Sequence, residues 1–173
     1  MKRIFFIAIL SIASVSINAQ NPFEQFDFLI GNWQGVESGM PGNGIGFRTY
    51  IYDLNKNFIV ERNQSTFPKT DKKPMGEVHR DFGVISFNSN DSTIVFRQFH
   101  NEGFTNIYEL NKELSTSKKF VFITREIENN PGNWVARLTI IKISEKEFSE
   151  TFEIAMDGIK FNQILSNNFK KVN

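Results

Sequence analysis

The stretch Phe28-Leu29-Ile30-Gly31-Asn32-Trp33-Gln34-Gly35 decides the fold of this chain. It joins a short apolar run to a Gly-x-Trp-x-Gly pattern, and short alternating segments separated by turn residues follow it. We interpret it as the segment that begins and plugs a β-barrel. Gly31, Trp33 and Gly35 are therefore assigned structural roles. The buried indole N–H of Trp33 then needs an acceptor, and an arginine from a later strand would suit its ring face.

The residues just before this stretch predict a short helix. Pro22 suits the first turn of a helix with Asn21 as its cap. Phe23, Phe26 and Leu29 recur at helical spacing. We expect one or two turns that cover one end of the barrel.

Ten strands are predicted after the helix, because segments rich in β-branched and aromatic residues alternate with breaks rich in Asn, Gly and Pro. The breaks are short enough for hairpins between consecutive strands. The predicted strands are 32–37, 45–54, 58–67, 76–88, 92–100, 104–110, 118–128, 134–143, 147–154 and 160–169.

The predicted fold class is all-β: a closed antiparallel meander barrel of about ten strands, with the short N-terminal helix capping one end. Ten consecutive strands make a single open sheet awkward, and closure removes its edges. In the segment 58–65, one face carries Phe, Val, Arg and Gln, and the other carries Ile, Glu, Asn and Ser. Since neither face is cleanly apolar, the pattern indicates a barrel with a partly polar interior and a cavity.

Composition and the N-terminus predict a single exported domain. Residues 1–19 combine Lys2 and Arg3, an apolar segment and a terminal Ala19, which is typical of a signal peptide of bacterial style. The domain is then 20–173, located in the periplasm or outside the cell, with no membrane span after cleavage. The absence of Cys excludes disulfides and thiolate chemistry. Without Lys2 and Arg3 the domain keeps 18 of the 20 basic residues and all 19 acidic residues, which leaves no basic excess for nucleic acid.

Gly31-x-Trp33-x-Gly35 after a helical lead resembles the opening of the calycin group, which includes lipocalins, fatty-acid-binding proteins and nitrobindin-like barrels. The strand count is similar to that of the fatty-acid-binding and nitrobindin-like members. A following Phe47-Arg48-x-Tyr50 strand makes the nitrobindin-like bacterial barrels the nearest resemblance. The resemblance implies a Trp packed inside the closed end of the barrel.

The chain departs from the nitrobindin-like pattern at its C-terminal end. Those proteins hold haem iron through a His near the C-terminus, but this chain has no His from Asn101 onward. Haem binding is therefore not carried over, and no cofactor is predicted.

Glu77, His79 and Asp81 alternate and so share one face of a predicted strand. A His between two carboxylates suits a general base or a weak metal site. The β-hairpin centred near residues 89–91 would bring His100 on the next strand close to His79. The alternative is a polar patch. We assign neither a catalytic residue nor a metal ligand set from sequence.

Arginines within apolar strands are the other candidates, because charge in such positions requires a partner or a wet cavity. Arg97, Arg125 and Arg137, with the neighbouring Gln98, could face a ligand, pair internally with Glu77, Glu109 or Glu150, or lie on the surface. The predicted ligand-binding set is Arg48, Glu77, His79, Arg97, Phe99, Tyr108, Arg125 and Arg137.

The leading hypothesis is an exported lipocalin-like protein that binds a small, partly apolar or amphipathic molecule, which could be acidic, inside the barrel. The second is an enzyme that uses His79 with Glu77 or Asp81. The third is a structural or interaction protein of the cell envelope with a filled barrel. No hydrolase elbow, phosphate loop or metalloprotease motif occurs, so an enzyme is the less favoured alternative.

Overall fold

The computed structural model describes residues 21–71, 73–130 and 132–172. The signal peptide predicted at 1–19 lies outside the described residues. A 3₁₀ helix at Glu24–Leu29 precedes ten strands. The strands are β1 Gly31–Gly39, β2 Gly42–Asp53, β3 Phe58–Phe67, β4 Glu77–Asn88, β5 Thr93–His100, β6 Thr105–Leu110, β7 Lys119–Glu128, β8 Val135–Ser144, β9 Glu147–Ala155 and β10 Asn162–Val172.

The strands form a closed antiparallel barrel. Each strand pairs with its neighbours in sequence, and β1 pairs with β10 to complete the ring. At that junction Asn32 lies opposite Val172, and Gly39 lies opposite Leu165. The predicted all-β, closed, ten-stranded meander is therefore confirmed. Within the described ranges, no helix is both long and apolar enough to cross a bilayer.

The predicted N-terminal helix is a 3₁₀ helix of six residues. Tight winding of this kind is used for short segments, and here it buries Phe26, Phe28 and Leu29 together. The ring of Phe26 lies 5.0 Å from that of Phe120 on β7. The helix therefore covers one end of the barrel, which we call the closed end. The opposite end is the open end.

Trp33 fills the closed end. Its side chain is buried, and its indole N–H donates a 2.6 Å hydrogen bond to the carbonyl of Leu29. The ring packs edge-on against Phe148 at 4.7 Å. The cation over its face is Lys171, 5.2 Å from the ring centre, rather than the expected arginine. The last strand thus supplies the cation that covers the first strand's indole.

The two glycines of the opening pattern meet different requirements. Gly31 has a φ of 133°, a conformation that other residues rarely adopt. Gly35 lies against β10, where a Cβ atom would come within 2.2 Å of the Asn168 carbonyl oxygen and 2.6 Å of the Phe169 ring. The pattern Gly-x-Trp-x-Gly therefore permits β1 and β10 to approach closely beside the Trp33 plug.

The inward-facing residues become polar from the closed end towards the open end. Along β3 they are Ile59, Glu61, Asn63, Ser65 and Phe67, and all but Asn63 are buried. Of the two faces of segment 58–65, the one that carries Ile, Glu, Asn and Ser points into the barrel. The interior is therefore partly polar, as the sequence pattern indicated. An aromatic core therefore fills the closed end, and a layer of charged side chains crosses the middle of the barrel.

Candidate functional site

A cavity of about 260 Å³ lies at the open end of the barrel. This volume is slightly below the range for pockets that hold drug-sized molecules, about 300–1,000 Å³, so it suits a smaller ligand. Side chains of β2 to β5 make one wall polar, while Leu138 of β8 and Phe152 of β9 make an apolar wall across the barrel. A smaller cavity of about 80 Å³ shares Phe104 and Phe152 with it. The space is therefore amphipathic.

Arg48 of β2 is the centre of the buried charged layer. Its Nη2 donates to Glu37 Oε1 at 2.9 Å and to Glu150 Oε1 at 3.2 Å, and its Nη1 donates to Asn63 Oδ1. Burial alone would lower the pKa of Arg48, but the carboxylates of Glu150, Glu37 and Glu61 raise it above its ordinary value. The guanidinium therefore stays charged and is already occupied by protein carboxylates.

Glu61 of β3 lies at the edge of this layer. It is 1% exposed, accepts a hydrogen bond from the Tyr50 hydroxyl at 3.2 Å, and accepts another from Gln98 Nε2 at 3.2 Å. Burial raises the pKa of Glu61 to about 8, with a further contribution from Glu150, although Arg48 opposes the shift. Glu61 is therefore largely protonated at neutral pH.

A cluster of ionisable side chains forms the outer part of the polar wall. Asp81 lies directly opposite His100 in the β4–β5 ladder. Asp81 Oδ1 is 2.9 Å from His79 Nε2 and 2.8 Å from His100 Nδ1. Glu102, in the turn after β5, places Oε1 2.7 Å from His79 Nδ1. The hairpin thus gathers both histidines of the chain around one buried carboxylate.

The cluster shifts the protonation of its own members. Contact with Asp81 raises the pKa of His79 to about 9, although partial burial opposes the change and Glu102 adds to it. Burial would raise the pKa of Asp81, but the imidazoles of His100 and His79 lower it to about 2. Asp81 is therefore an anion across the physiological pH range.

Three members of the predicted ligand-binding set line the cavity, namely Arg48, Glu77 and His79. Glu77 is at the rim, where it pairs with Lys73, so it does not join His79 as the enzyme hypothesis allowed. His79 converges instead with Asp81, the other partner that hypothesis named. Tyr108 faces the interior and is fully buried, and its hydroxyl accepts a 2.9 Å hydrogen bond from Asn106.

The other four members of that set lie on the outer face, away from the cavity. Gln98 and His100 line the cavity, so the alternating Arg97 and Phe99 point outwards. Outward arginines find partners on neighbouring strands, which removes the need for a ligand. Their contacts are Arg97 with Ser86 at 3.1 Å, Arg125 with Glu109 at 2.9 Å, and Arg137 with both oxygens of Glu153 at 2.6 and 2.7 Å.

Sequence reasoning missed two polar residues of the site, Glu102 and Asn63, and it left open the orientation of Asn106, which it considered for the pocket lining. Glu102 sits in a turn, but extending the β4–β5 register beyond His100 would have placed it beside His79. Asn63 donates to Asp81 Oδ2 at 2.6 Å, and Asn106 Nδ2 lies 3.0 Å from His100 Nε2. No local pattern marks these two asparagines, because their role arises only from pairing across strands.

The resemblance to nitrobindin-like proteins implies haem, and the residues of this site do not fit it. A haem held by histidine needs a slot that is wide enough for the macrocycle and is lined largely by apolar side chains. Here both histidines contact Asp81, and the cavity wall that they occupy is polar. Arg48 and its carboxylates fill the barrel beneath it. The site is therefore unsuited to a porphyrin.

Comparison with known proteins supports the fold. Rv2717c from M. tuberculosis superposes with a TM-score of 0.66 at 14% identity, over 88% of this chain and 98% of that chain. A redesigned β-barrel, mFAP0 bound to DFHBI, gives a TM-score of 0.45 at 11% identity, over 83% and 99% of the two chains. No protein-family model and no curated protein matches the sequence. The likeness to Rv2717c thus supports the closed ten-stranded β-barrel and nothing finer.

Proposed function

We propose that this chain is an exported binding protein that holds one small amphipathic molecule in the cavity at the open end of its barrel. One observation carries the proposal: one cavity, open at the end of the barrel, has an ionisable wall on β4 and β5 and, across the barrel, the apolar side chains of Leu138 on β8 and Phe152 on β9. Few, well-placed polar groups opposite an apolar surface are typical of small-molecule sites. The nearest family relationship that we propose is to the nitrobindin-like barrels, without their haem.

The charge of the cavity indicates the polar end of the ligand. Among the lining residues, Arg48 is opposed by four carboxylates, those of Glu77, Asp81, Glu102 and Glu150. The guanidinium is also already bound by Glu37 and Glu150. His79, whose pKa is raised to about 9, is a second cation, but Asp81 and Glu102 already contact it. A ligand carboxylate would therefore enter a net negative site whose cations are already paired. We propose a ligand with a basic or hydrogen-bond-donating end rather than an acidic one.

The apolar wall indicates the rest of the ligand. Leu138 and Phe152 face the cavity, and the adjoining small cavity continues past Phe152 and Phe104. Burial of apolar area contributes about 25 cal/mol per Å². A short hydrocarbon or ring body therefore gains most of its affinity on this side, while the polar wall sets its orientation.

The experiment compares the binding of two probes of equal length, one basic and one acidic, to chelator-treated protein. Hexylamine and hexanoate are titrated while melting temperature and native mass spectra are recorded. We expect hexylamine to raise the melting temperature and hexanoate to leave it unchanged. Protein purified from its own host should carry a co-purifying molecule with a donor or basic group. Stronger binding of hexanoate would contradict the charge argument, and binding of neither probe would contradict the cavity as a site.

A matched pair of variants on β8 locates the binding. Leu138→Trp fills the apolar wall, because Leu138 is buried and lines the cavity. Ile141→Trp adds the same ring to a position that is 39% exposed. We expect only Leu138→Trp to abolish the response to hexylamine. N-terminal sequencing of the protein from its host, with Gln20 expected first, tests the proposed export.

A further inference from the structure

We infer that the cluster at the open end binds one divalent transition-metal ion through His79 Nε2, His100 Nδ1 and Asp81 Oδ1, with Glu102 as the outer partner of His79. The inference goes beyond the small-molecule proposal and does not depend on it. One ligand atom from each of these four residues lies within 4.8 Å of the others. The following observations distinguish this arrangement from an ordinary polar patch.

The three proposed ligand atoms converge on one point. Asp81 Oδ1 is 2.9 Å from His79 Nε2 and 2.8 Å from His100 Nδ1. Metal–nitrogen and metal–oxygen bonds are about 2.0–2.2 Å, which places neighbouring ligand atoms roughly 3 to 3.5 Å apart. The two contacts of Asp81 Oδ1 are therefore a few tenths of an ångström shorter than this spacing, and the ligand atoms of the cluster all lie within 4.8 Å of one another.

The short contact between Asp81 and His100 is not a well-directed hydrogen bond. Asp81 Oδ1 and His100 Nδ1 are both buried without a hydrogen-bond partner, although they lie 2.8 Å apart. Their side chains are 3% and 7% exposed. Leaving buried polar atoms unsatisfied costs about 1–3 kcal/mol each. A cation at the common point would satisfy both atoms, and this is the observation that points to a ligand.

Each proposed ligand has a further polar partner behind it. Asn63 donates to Asp81 Oδ2 at 2.6 Å, and Glu102 contacts His79 Nδ1 at 2.7 Å. Partners of this kind orient the ligating atoms and fix the tautomer of metal-bound histidine. Metal binding releases the proton that His79 otherwise carries on Nε2, and His79 Nε2 and Asp81 Oδ1 then face the metal.

The partner behind His100 is Asn106, whose amide nitrogen lies 3.0 Å from His100 Nε2. The amide oxygen of Asn106 is buried without a hydrogen-bond partner. A half-turn of the amide would place this oxygen where it accepts the Nε2–H of His100, and the Tyr108 hydroxyl, which now accepts from the amide nitrogen, would donate to the oxygen instead. The proton would then reside on Nε2, and the lone pair of Nδ1 would be free for the metal.

The donor set selects the class of metal. Two imidazoles and one carboxylate suit Zn²⁺, Fe²⁺, Co²⁺ and related ions better than Mg²⁺ or Ca²⁺, which prefer oxygen ligands. Three protein ligands leave at least one coordination position open. Because all three residues line the cavity, that position faces the cavity.

The experiment uses chelator-treated protein without a polyhistidine tag. Binding of Zn²⁺ is measured by calorimetry, and binding of Co²⁺ is measured by its visible absorption. We expect one ion per chain. Asp81→Asn and His100→Gln should abolish saturable binding over the same concentration range. Glu102→Gln should weaken binding about tenfold, because it removes only the outer carboxylate. Glu109→Gln, on the outer face beside Arg125, is the control and should bind as the wild type does.

Nuclear magnetic resonance of the wild type keeps the inference testable if a variant fails to fold. The chain has only two histidines, so both ring systems can be assigned. Zn²⁺ should shift both, with His79 protonated at Nδ1 and His100 protonated at Nε2. Absence of ring shifts, or saturable binding that survives Asp81→Asn in a folded protein, would overturn the inference. Neither result bears on the hexylamine test, which is made without metal.

Discussion

Glu61 shows how a single buried carboxyl makes the stability of this barrel depend on pH. Its pKa is about 8 in the folded protein against an ordinary value of 4.5. The folded state therefore binds this proton more tightly than the unfolded chain between those values. The stabilising contribution is complete below about pH 4.5 and is lost as the pH rises through 8.

We predict that Glu61→Gln reduces the loss of stability between pH 5 and pH 8, since Gln keeps the shape and cannot ionise. The difference from wild type should be on the order of a few kcal/mol, at about 1.4 kcal/mol per pKa unit. Urea denaturation at the two pH values measures it. Glu109→Gln, at a half-exposed outer-face ion pair, should leave the slope unchanged. An unchanged slope in Glu61→Gln would mean that Glu61 is ionised in the folded protein.

The arginines show what the sequence could not settle at the scale of one residue. Alternation separates the two faces of a strand, but it does not say which face is inside when both are mixed. Arg48 is buried beside Glu37 and Glu150, whereas Arg137 pairs with Glu153 outside the barrel. Each pairing depends on the register between strands. Only the structure therefore shows which arginines lie inside the barrel and which lie outside it.

At the scale of elements, the β4–β5 hairpin was the most predictable part of the site. The turn chemistry after Asn88 placed His79 near His100, and the structure brings their ring centres to 5.8 Å. Asp81 was expected on the same face as His79, and it lies between the two histidines. Two-residue periodicity and one hairpin were sufficient here, because all these contacts are local in sequence.

The β1–β10 junction is the element contact that the opening Gly-x-Trp-x-Gly pattern permits. We predict that Gly35→Ala destabilises the protein by about 1–3 kcal/mol or more, the usual cost of overpacking. A Cβ atom there would lie 2.2 Å from the backbone oxygen of Asn168. Backbone cannot rotate aside as a side chain can. Chemical denaturation monitored by Trp fluorescence measures the loss.

Gln34→Ala is the control for Gly35→Ala, because Gln34 is the neighbouring exposed residue of the same strand. It should change the free energy of unfolding by no more than about 0.5 kcal/mol. Equal stability of Gly35→Ala and wild type would show that β1 and β10 can separate without cost. That result would remove the structural reason for the glycine.

At the scale of the whole molecule, closure of the barrel was predictable from the sequence. The arrangement of apolar and charged side chains inside the barrel was not. Ten short strands with hairpin turns are enough to indicate a ring. The division into an aromatic closed end, a charged middle layer and an amphipathic open end depends on residues remote in sequence. Arg48 and Glu150, for example, are joined by a 3.2 Å contact across the barrel interior.

In a closed ring in which each strand pairs with its neighbours in sequence, we expect that the chain termini can be moved to another turn without loss of stability. Circular permutation tests this expectation. Val172 lies opposite Asn32 at the closed end, so a flexible linker of about ten residues can join the C-terminal strand to the segment before β1. New termini between Asn55 and Lys56 fall in an exposed turn. We predict a folded barrel with a urea midpoint close to that of the wild type.

The matched control opens the ring in the middle of β5, between Phe96 and Arg97. This cut interrupts the ladders that β5 makes with β4 and β6, and we expect no cooperative unfolding transition. In the permutant opened at Asn55, β1–β10 pairing becomes local and β2–β3 pairing becomes remote, so the entropy of ring closure changes little. If the permutant opened at Asn55 does not fold, the β2–β3 hairpin must form before the ring can close. The barrel would then not tolerate opening at every turn.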